Sequence, residues 1–298
     1  MALVYPPALW SAISTGRTAD ALFLIANGAD VQSMNLVGTS VLHIAAEQGP
    51  NVVAKRLLER GADVNCKTIL GYTPLHYAAY AGRAVVVKML LDKGAGLHHT
   101  SLDLNTPLHL AAHCGNPAII LMMLAKGADV HAKTKQGDTP LHYAAWNSPV
   151  VAIKILMHYG AKITVKDKQG QIPLHRAAEG GNAAIVKFLL TMDADVHVTT
   201  RHGETPLHFA VNSGSCRVVK LLLDRGADFR AKTRAGKTPV DLASAPGKEA
   251  VVVVLLAVAT RRAMCEAAAM GQHQRLGVGS RLYMGIDPGV FRMILEQI

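Results

Sequence analysis

The chain has 298 residues, half of them hydrophobic and only 5% aromatic, so its core must consist mainly of small aliphatic side chains. A formal charge of +10 favours an acidic partner or surface without identifying one. The four cysteines form no CxxC pair and no framework spacing, which argues against a disulfide scaffold and favours free thiols in a reducing compartment.

The N-terminal segment "MALVYPPALW" has no basic start and carries two prolines. It therefore does not resemble a secretory signal. The longest apolar run, at 250–259, has ten residues, about half of what crosses a bilayer. We expect a cytoplasmic protein, with a nuclear location also open, and no membrane insertion.

A 33-residue repeat organises most of the chain. The tetrad Thr73–His76 recurs at Thr106–His109, Thr139–His142 and Thr205–His208. Degenerate copies begin at positions 40, 172 and 238, and residues 7–10 extend the register backwards. A second marker, Gly61-Ala62-Asp63-Val64, recurs at the same step. The pattern predicts eight repeats over residues 1–260, with degenerate terminal copies.

Each repeat reads as two short helices. Thr73 can cap the first helix, and Pro74 suits its first position, where no amide donor is needed. Gly82 and Gly94 are placed to end the two helices in left-handed turns. Val86 and Leu90 belong to the apolar face of the second helix. One such unit cannot bury its own apolar face, so stacking must stabilise it.

These motifs closely resemble the ankyrin-repeat family. The resemblance implies an all-α solenoid of stacked helix-turn-helix units with projecting finger loops, the polar stretches that connect consecutive repeats. It also implies that binding to other proteins is the usual function. The motif histidines, such as His76, would hydrogen-bond the motif threonine and the backbone of the neighbouring repeat.

The sequence shows no catalytic or metal-binding constellation. No nucleophile elbow, phosphate loop, HExxH motif or carboxylate pair is present, and His113 with Cys114 completes no tetrahedral ligand spacing. We expect no enzyme activity, no cofactor and no metal. Asn65 lies where many ankyrin repeats carry an asparagine that a hydroxylase modifies. An unmodified polar turn residue is the other reading.

First-helix positions that stacking does not require should line the inner, concave face. Trp146 is the most conspicuous of them, and it could either bind a partner or pack against Tyr143 and Ser148-Pro149. Large aromatic residues often dominate interface energies, so we favour binding. The predicted partner-binding residues on this face are Tyr80, His113, Trp146, Asn147, Glu179 and Asn212.

The finger tips change character along the chain. Early tips are apolar, with Ile69, Leu70 and Leu102, whereas later tips are basic, with Lys133, Lys135, Lys166, Lys168 and Arg201. An acidic segment with apolar anchors would match this distribution, although a basic row can also serve only solubility. The lack of interleaved stacking aromatics argues against nucleic acid. Leu104 replaces the usual finger glycine, so we expect a changed finger shape there.

The C-terminal region departs from the repeat. Residues 248–272 can form one long helix that is apolar all round at 251–258, a surface that needs a cover. Residues 261–298 form a helical tail that either caps the array or docks elsewhere, with Phe291, Ile294 and Leu295 on one face. Residues 282–298 also weakly resemble the opening of an F-box, a segment that docks on a ubiquitin-ligase adaptor.

The sequence therefore predicts a non-enzymatic protein–protein interaction scaffold or adaptor that binds its partner on the concave face and fingers. The alternative is a substrate receptor of a ubiquitin ligase, in which the array holds the target and the tail recruits the adaptor.

Overall fold

A computed structural model describes residues 8–244 and 247–269, and within the last helix it describes no side chain at position 259 or at 261–269. The described residues contain sixteen helices in eight successive pairs and no strand, apart from an isolated bridge between Met34 and Ser40. The all-α prediction is confirmed. The chain divides into two compact units, unit 1 up to Lys162 and unit 2 from Ile163.

Unit 1 contains five helix pairs. Their first helices pack side by side in one layer, and their second helices form another. The first helices are α1 (Ala8–Ser14), α3 (Val41–Glu47), α5 (Pro74–Tyr80), α7 (Pro107–Cys114) and α9 (Pro140–Asn147). The second helices are α2 (Thr18–Ala26), α4 (Asn51–Glu59), α6 (Ala84–Asp92), α8 (Pro117–Ala125) and α10 (Val150–His158).

Unit 2 contains three helix pairs with the same two-layer packing. Its last helix is longer than the others, as the sequence predicts. Val251, Val252 and Leu255 of that helix are buried, but Val253 is 41% exposed. The helices are α11 (Pro173–Glu179), α12 (Ala183–Thr191), α13 (Pro206–Asn212), α14 (Cys216–Asp224), α15 (Pro239–Ala243) and α16 (Glu249–Ala269).

Motif histidines tie three successive repeats of unit 1, those of His43, His76 and His109, each to the repeat that follows. In α5, the backbone N–H of Thr73 donates to His76 Nδ1 at 3.1 Å, and the Thr73 hydroxyl lies 2.9 Å from the same nitrogen. With Nδ1 accepting, His76 Nε2 carries the proton and donates to the carbonyl oxygen of Asn105 at 3.0 Å. This confirms the role that the family resemblance implies. Burial lowers the pKa of His76 to about 4, so the ring is neutral at physiological pH.

The left-handed turns lie where glycines predict them. Gly71 at a finger tip has φ 81° and Gly82 after α5 has φ 71°. The predicted change of finger shape at Leu104 is wrong, because Leu104 adopts φ 61°. Its N–H donates to the Ser101 carbonyl at 2.9 Å, as the N–H of Gly71 does to the Thr68 carbonyl at 2.8 Å. The contacts between neighbouring fingers therefore hold Leu104 at a positive φ angle that a leucine otherwise disfavours.

Candidate protein-interaction surface

The first three fingers of unit 1 present a continuous series of exposed apolar side chains. The fingers are joined by backbone hydrogen bonds, from the Ile69 N–H to the Val37 carbonyl at 3.0 Å and from the Leu102 N–H to the Leu70 carbonyl at 2.8 Å. Neighbouring tips therefore lie side by side. We call this surface the apolar finger row, and its residues are Leu36, Val37, Ile69, Leu70, Leu102 and Leu104.

The exposure of this row is large for hydrophobic residues. Leu36 is 89% exposed, Ile69 63% and Leu102 56%. Single exposed leucines are common, but contiguous apolar patches on protein surfaces usually mark an interaction site. The sequence identified Ile69, Leu70 and Leu102 but missed Leu36 and Val37. The apolar letters in "SMNLVGTS" were the available signal, and the degenerate repeat around them obscured it.

Aromatic side chains line the inner side of unit 1. Tyr80 stacks on His113, with ring centroids 5.9 Å apart and an interplanar angle of 4°. His113 in turn meets the edge of Tyr143 at 6.2 Å, and the Tyr143 hydroxyl donates to Asn105 Oδ1 at 2.7 Å. These contacts hold Tyr80 and His113 together, as their equivalent positions in successive repeats predict.

A concave cavity of about 270 Å³ adjoins this aromatic series. Leu70 of the apolar finger row and Tyr80 both contribute to its lining, so the finger row continues into the cavity. Tyr72 and Tyr77 were not among the predicted site residues. We call it the tyrosine cavity, and its lining residues are Glu47, Leu70, Tyr72, His76, Tyr77, Tyr80 and Leu110.

Trp146 lies in the last turn of α9 and is 41% exposed. The packing alternative assigned it to a contact with Tyr143 or to the space left by Ser148 and Pro149. In the structure, however, Ser148 is buried and its hydroxyl donates to the Ala112 carbonyl at 2.6 Å. Gly115 makes room for both residues, since a Cβ there would lie 2.7 Å from Pro149 Cδ and 2.8 Å from Ser148 Oγ. The neighbouring residue Asn147 is also exposed.

The fourth finger of unit 1 is basic. Lys133 and Lys135 are both exposed. Lys135 Nζ lies 4.0 Å from Asp103 Oδ1, and its N–H donates to the Asp103 carbonyl at 2.8 Å. The basic tips therefore continue directly from the apolar finger row within the same unit.

Unit 2 carries a basic finger row of its own. Lys166, Lys168 and Arg201 are exposed, and the Arg201 N–H donates to the Gln169 carbonyl at 2.7 Å. Asp167 between the two lysines is buried and pairs with Arg176 at 3.3 Å. The row therefore keeps its positive character despite an aspartate in the middle.

The other predicted residues of unit 2 already have polar contacts. The carboxylate of Glu179 accepts from Arg176 at 3.5 Å. The side-chain oxygen of Asn212, which is exposed, accepts from Lys248 Nζ at 3.2 Å. A partner that binds Glu179 or Asn212 would therefore have to replace these local hydrogen bonds or add to them.

Asn65 forms a clip between two repeats. Its Nδ2 donates to the Gly94 carbonyl at 3.4 Å, and its Oδ1 accepts from the Gly96 N–H at 2.9 Å. Gln32 makes the equivalent pair of contacts with Gly61 and Asp63. This geometry gives Asn65 a structural role, and its hydroxylation stays a prediction.

Searches for a metal site and for a membrane-spanning helix cover only the described residues, and some of the predicted site residues lie beyond them. Within the described residues, no three His, Cys, Asp or Glu side chains could together hold a metal ion, and no helix is long and apolar enough to cross a membrane. Phe291, Ile294 and Leu295 lie outside the described residues. The capping and F-box readings of the tail therefore stay predictions.

Comparisons with known proteins agree with this geometry. A family model described as ankyrin repeats in three copies matches residues 9–101, 94–167, 152–233 and 174–263. The crystal structure of the ankyrin repeat domain of Bcl-3, a unique member of the IkappaB protein family, is similar at 29% sequence identity and a TM-score of 0.54. The similarity covers 72% of this chain and 97% of the Bcl-3 chain. A search of curated proteins found no match.

Proposed function

Because this chain belongs to the ankyrin-repeat family, whose members are generally modules for protein–protein interaction, we propose that it is a non-enzymatic adaptor that binds its partner through the apolar finger row. The observation that carries this proposal is the exposure of Leu36, Ile69 and Leu102 on three consecutive, hydrogen-bonded finger tips. Burial of such side chains contributes roughly 1.5–3 kcal/mol each, before the costs of association.

The concave aromatics extend this docking surface. Tyr80 is 54% exposed and Trp146 41% exposed, and Tyr80 is held in place by its stack on His113. Rigid aromatic side chains lose little conformational entropy on binding and often form the strongest contacts of an interface. We therefore propose Tyr80, His113 and Trp146 as contact residues beside the finger row.

Charge adds selectivity for the partner. Lys133 and Lys135 lie directly beside the apolar finger row, and Lys166, Lys168 and Arg201 form the basic row of unit 2. Exposed positive charges chiefly accelerate the encounter with an acidic partner. The proposed partner is therefore a protein whose apolar anchors are accompanied by an acidic segment.

Site-specific photo-crosslinking tests the proposal. A photoreactive phenylalanine would replace either Ile69 or Leu102, and partner capture would be measured in extracts of the source cells. The matched controls are Val52 of α4 and Val85 of α6, which are 46% and 52% exposed on second helices. We expect the same crosslinked protein from both finger positions and from neither control.

Binding measurements with the captured partner complete the test. Ile69→Ser and Leu102→Ser together should weaken binding at least about ten-fold, or about 1.4 kcal/mol. The melting temperature should change little because both side chains are exposed. Equal crosslinking at all four positions, or full affinity of the double variant, would refute the finger row as the docking surface.

A further inference from the structure

The tyrosine cavity combines three kinds of surface in one small concavity. Tyr72, Tyr77 and Tyr80 supply aromatic rings, Leu70 and Leu110 supply aliphatic surface, and Glu47 supplies a carboxylate. Tyr72 and Tyr77 meet edge to face, with centroids 6.4 Å apart and an interplanar angle of 84°. Two rings held at right angles form a corner rather than a flat wall.

The net charge of this lining is negative. The Glu47 side chain accepts a hydrogen bond from the amide of Gln48 at 3.2 Å, which leaves its charge unneutralised. Arg83 does not neutralise it either, since its guanidinium donates to the Glu47 and Gly49 carbonyls and to Asn51 Oδ1.

The only other titratable lining groups are His76 and the tyrosines. Both ring nitrogens of His76 are engaged by Thr73 and Asn105, and burial lowers its pKa to about 4. Burial raises the pKa of Tyr77. At neutral pH, Glu47 is therefore the charged side chain that faces this cavity.

This lining fits a long side chain with an aliphatic stem and a cationic head. Aromatic faces attract ammonium and guanidinium groups, and lysine and arginine lay their methylenes along apolar surface. Tyr80 has one face on His113 and is still 54% exposed, so its other face is available. We propose that the tyrosine cavity binds a lysine or arginine side chain of the partner protein, an inference that rests on the proposed function.

Other occupants match the cavity less well. An acidic side chain would be repelled by Glu47, and a purely apolar side chain would bury that carboxylate without a counter-charge, which is costly. The cavity therefore adds a requirement that the basic finger rows do not, namely a positive side chain within a partner that also carries acidic and apolar groups.

The test uses small probes rather than the partner, so its outcome is independent of the crosslinking experiment. Protein with isotope-labelled tyrosines would be titrated by NMR with tetramethylammonium chloride, using sodium chloride to match ionic strength. Neopentyl alcohol, of similar size and uncharged, is the comparison probe. We expect saturable shifts from tetramethylammonium and about ten-fold weaker binding of the alcohol.

Variants assign the binding to the cavity. Tyr80→Ala and Glu47→Gln should each weaken tetramethylammonium binding several-fold. The control variants Tyr159→Ala, directly after α10, and Glu59→Gln, at the end of α4, change exposed residues and should not. Titrations with n-butylammonium and n-butylguanidinium then show which cation is preferred. Equal binding of the alcohol, or no saturable shift with any cation, would overturn this proposal while leaving the finger row as a docking surface untouched.

Discussion

His76 Nε2 donates to the carbonyl oxygen of Asn105, 29 residues further along the chain, at 3.0 Å. The same relationship joins His43 to Tyr72 at 3.0 Å and His109 to Asp138 at 3.1 Å. These bonds, which are buried at His76 and His109 and partly buried at His43, connect one repeat to the next in unit 1. These motif histidines are therefore structural links, and they make the stability of the protein sensitive to pH.

Acidification should destabilise the protein well above the pH at which carboxylates titrate. Burial lowers the pKa values of His43, His76 and His109 from 6.5 to about 4. Between these values the unfolded chain binds protons that the folded chain does not, so the free energy of unfolding falls as pH falls. By pH 5 the loss is about 2 kcal/mol per histidine. Urea unfolding at several pH values measures it.

The His76→Gln variant provides the control for this pH effect. A glutamine side chain has both an acceptor for the Thr73 N–H and a donor for the Asn105 carbonyl oxygen, but it does not titrate. Proton uptake on unfolding near pH 5 should therefore decrease by about one proton. An unchanged pH dependence would show that other groups cause the acid sensitivity.

Two glycine substitutions separate backbone strain from steric clash. Gly71 and Gly61 both have φ 81°, but a Cβ on Gly71 would lie 3.0 Å from the Thr100 carbonyl oxygen, whereas one on Gly61 meets nothing within 4 Å. Gly61→Ala should cost about 1–2 kcal/mol from the left-handed backbone alone. Gly71→Ala should cost more, as measured by denaturant unfolding. Equal losses of unfolding free energy in the two variants would mean that the backbone around Thr100 moves away from the new Cβ at no cost.

Replacing Trp146 tests the binding reading of this residue. Trp146→Ala should weaken partner binding by about ten-fold or more, equivalent to about 1.4 kcal/mol. The melting temperature should stay nearly constant, because the side chain is 41% exposed and Gly115 already accommodates Ser148. Titration calorimetry and thermal unfolding measure the two effects. A destabilised variant, or one that binds normally, would favour the packing alternative.

Charge reversal on the finger tips should act on the rate of association. Changing Lys133, Lys135, Lys166 and Lys168 to Glu should slow association and flatten its salt dependence, with little effect on dissociation. Stopped-flow or surface-based kinetics at several salt concentrations would show this. Lys88→Glu with Lys93→Glu, on and after α6, is the control on a second helix. Kinetics that do not change would assign the rows to solubility alone.

The repeat made most of the fold predictable. Thr-Pro at a helix start and glycine at its end have local physical reasons, and both recur at a fixed step. The exposure of Leu36 and Val37 was not predictable in the same way, because the first copies depart from the pattern. The prediction for Leu104 was wrong because it considered only that leucine disfavours a positive φ angle. It left out the hydrogen bonds of the adjacent fingers. The division into two units after Lys162 could not be predicted, because the 33-residue pattern continues across it.

The histidine links give the array a direction. The repeats of His43, His76 and His109 each supply an Nε2–H donor whose acceptor belongs to the following repeat. Truncation directly after one of them would leave that N–H without its partner, at a cost of about 1–3 kcal/mol. The copy that begins at Thr238 has an aspartate at the histidine position and supplies no such donor. There Asp241 Oδ2 accepts from both the N–H and the hydroxyl of Thr238, each at 2.8 Å, and a carboxylate has no proton to donate onward. Asp241 therefore cannot form the link that a motif histidine forms, and an aspartate in place of His76 should weaken the junction with the following repeat.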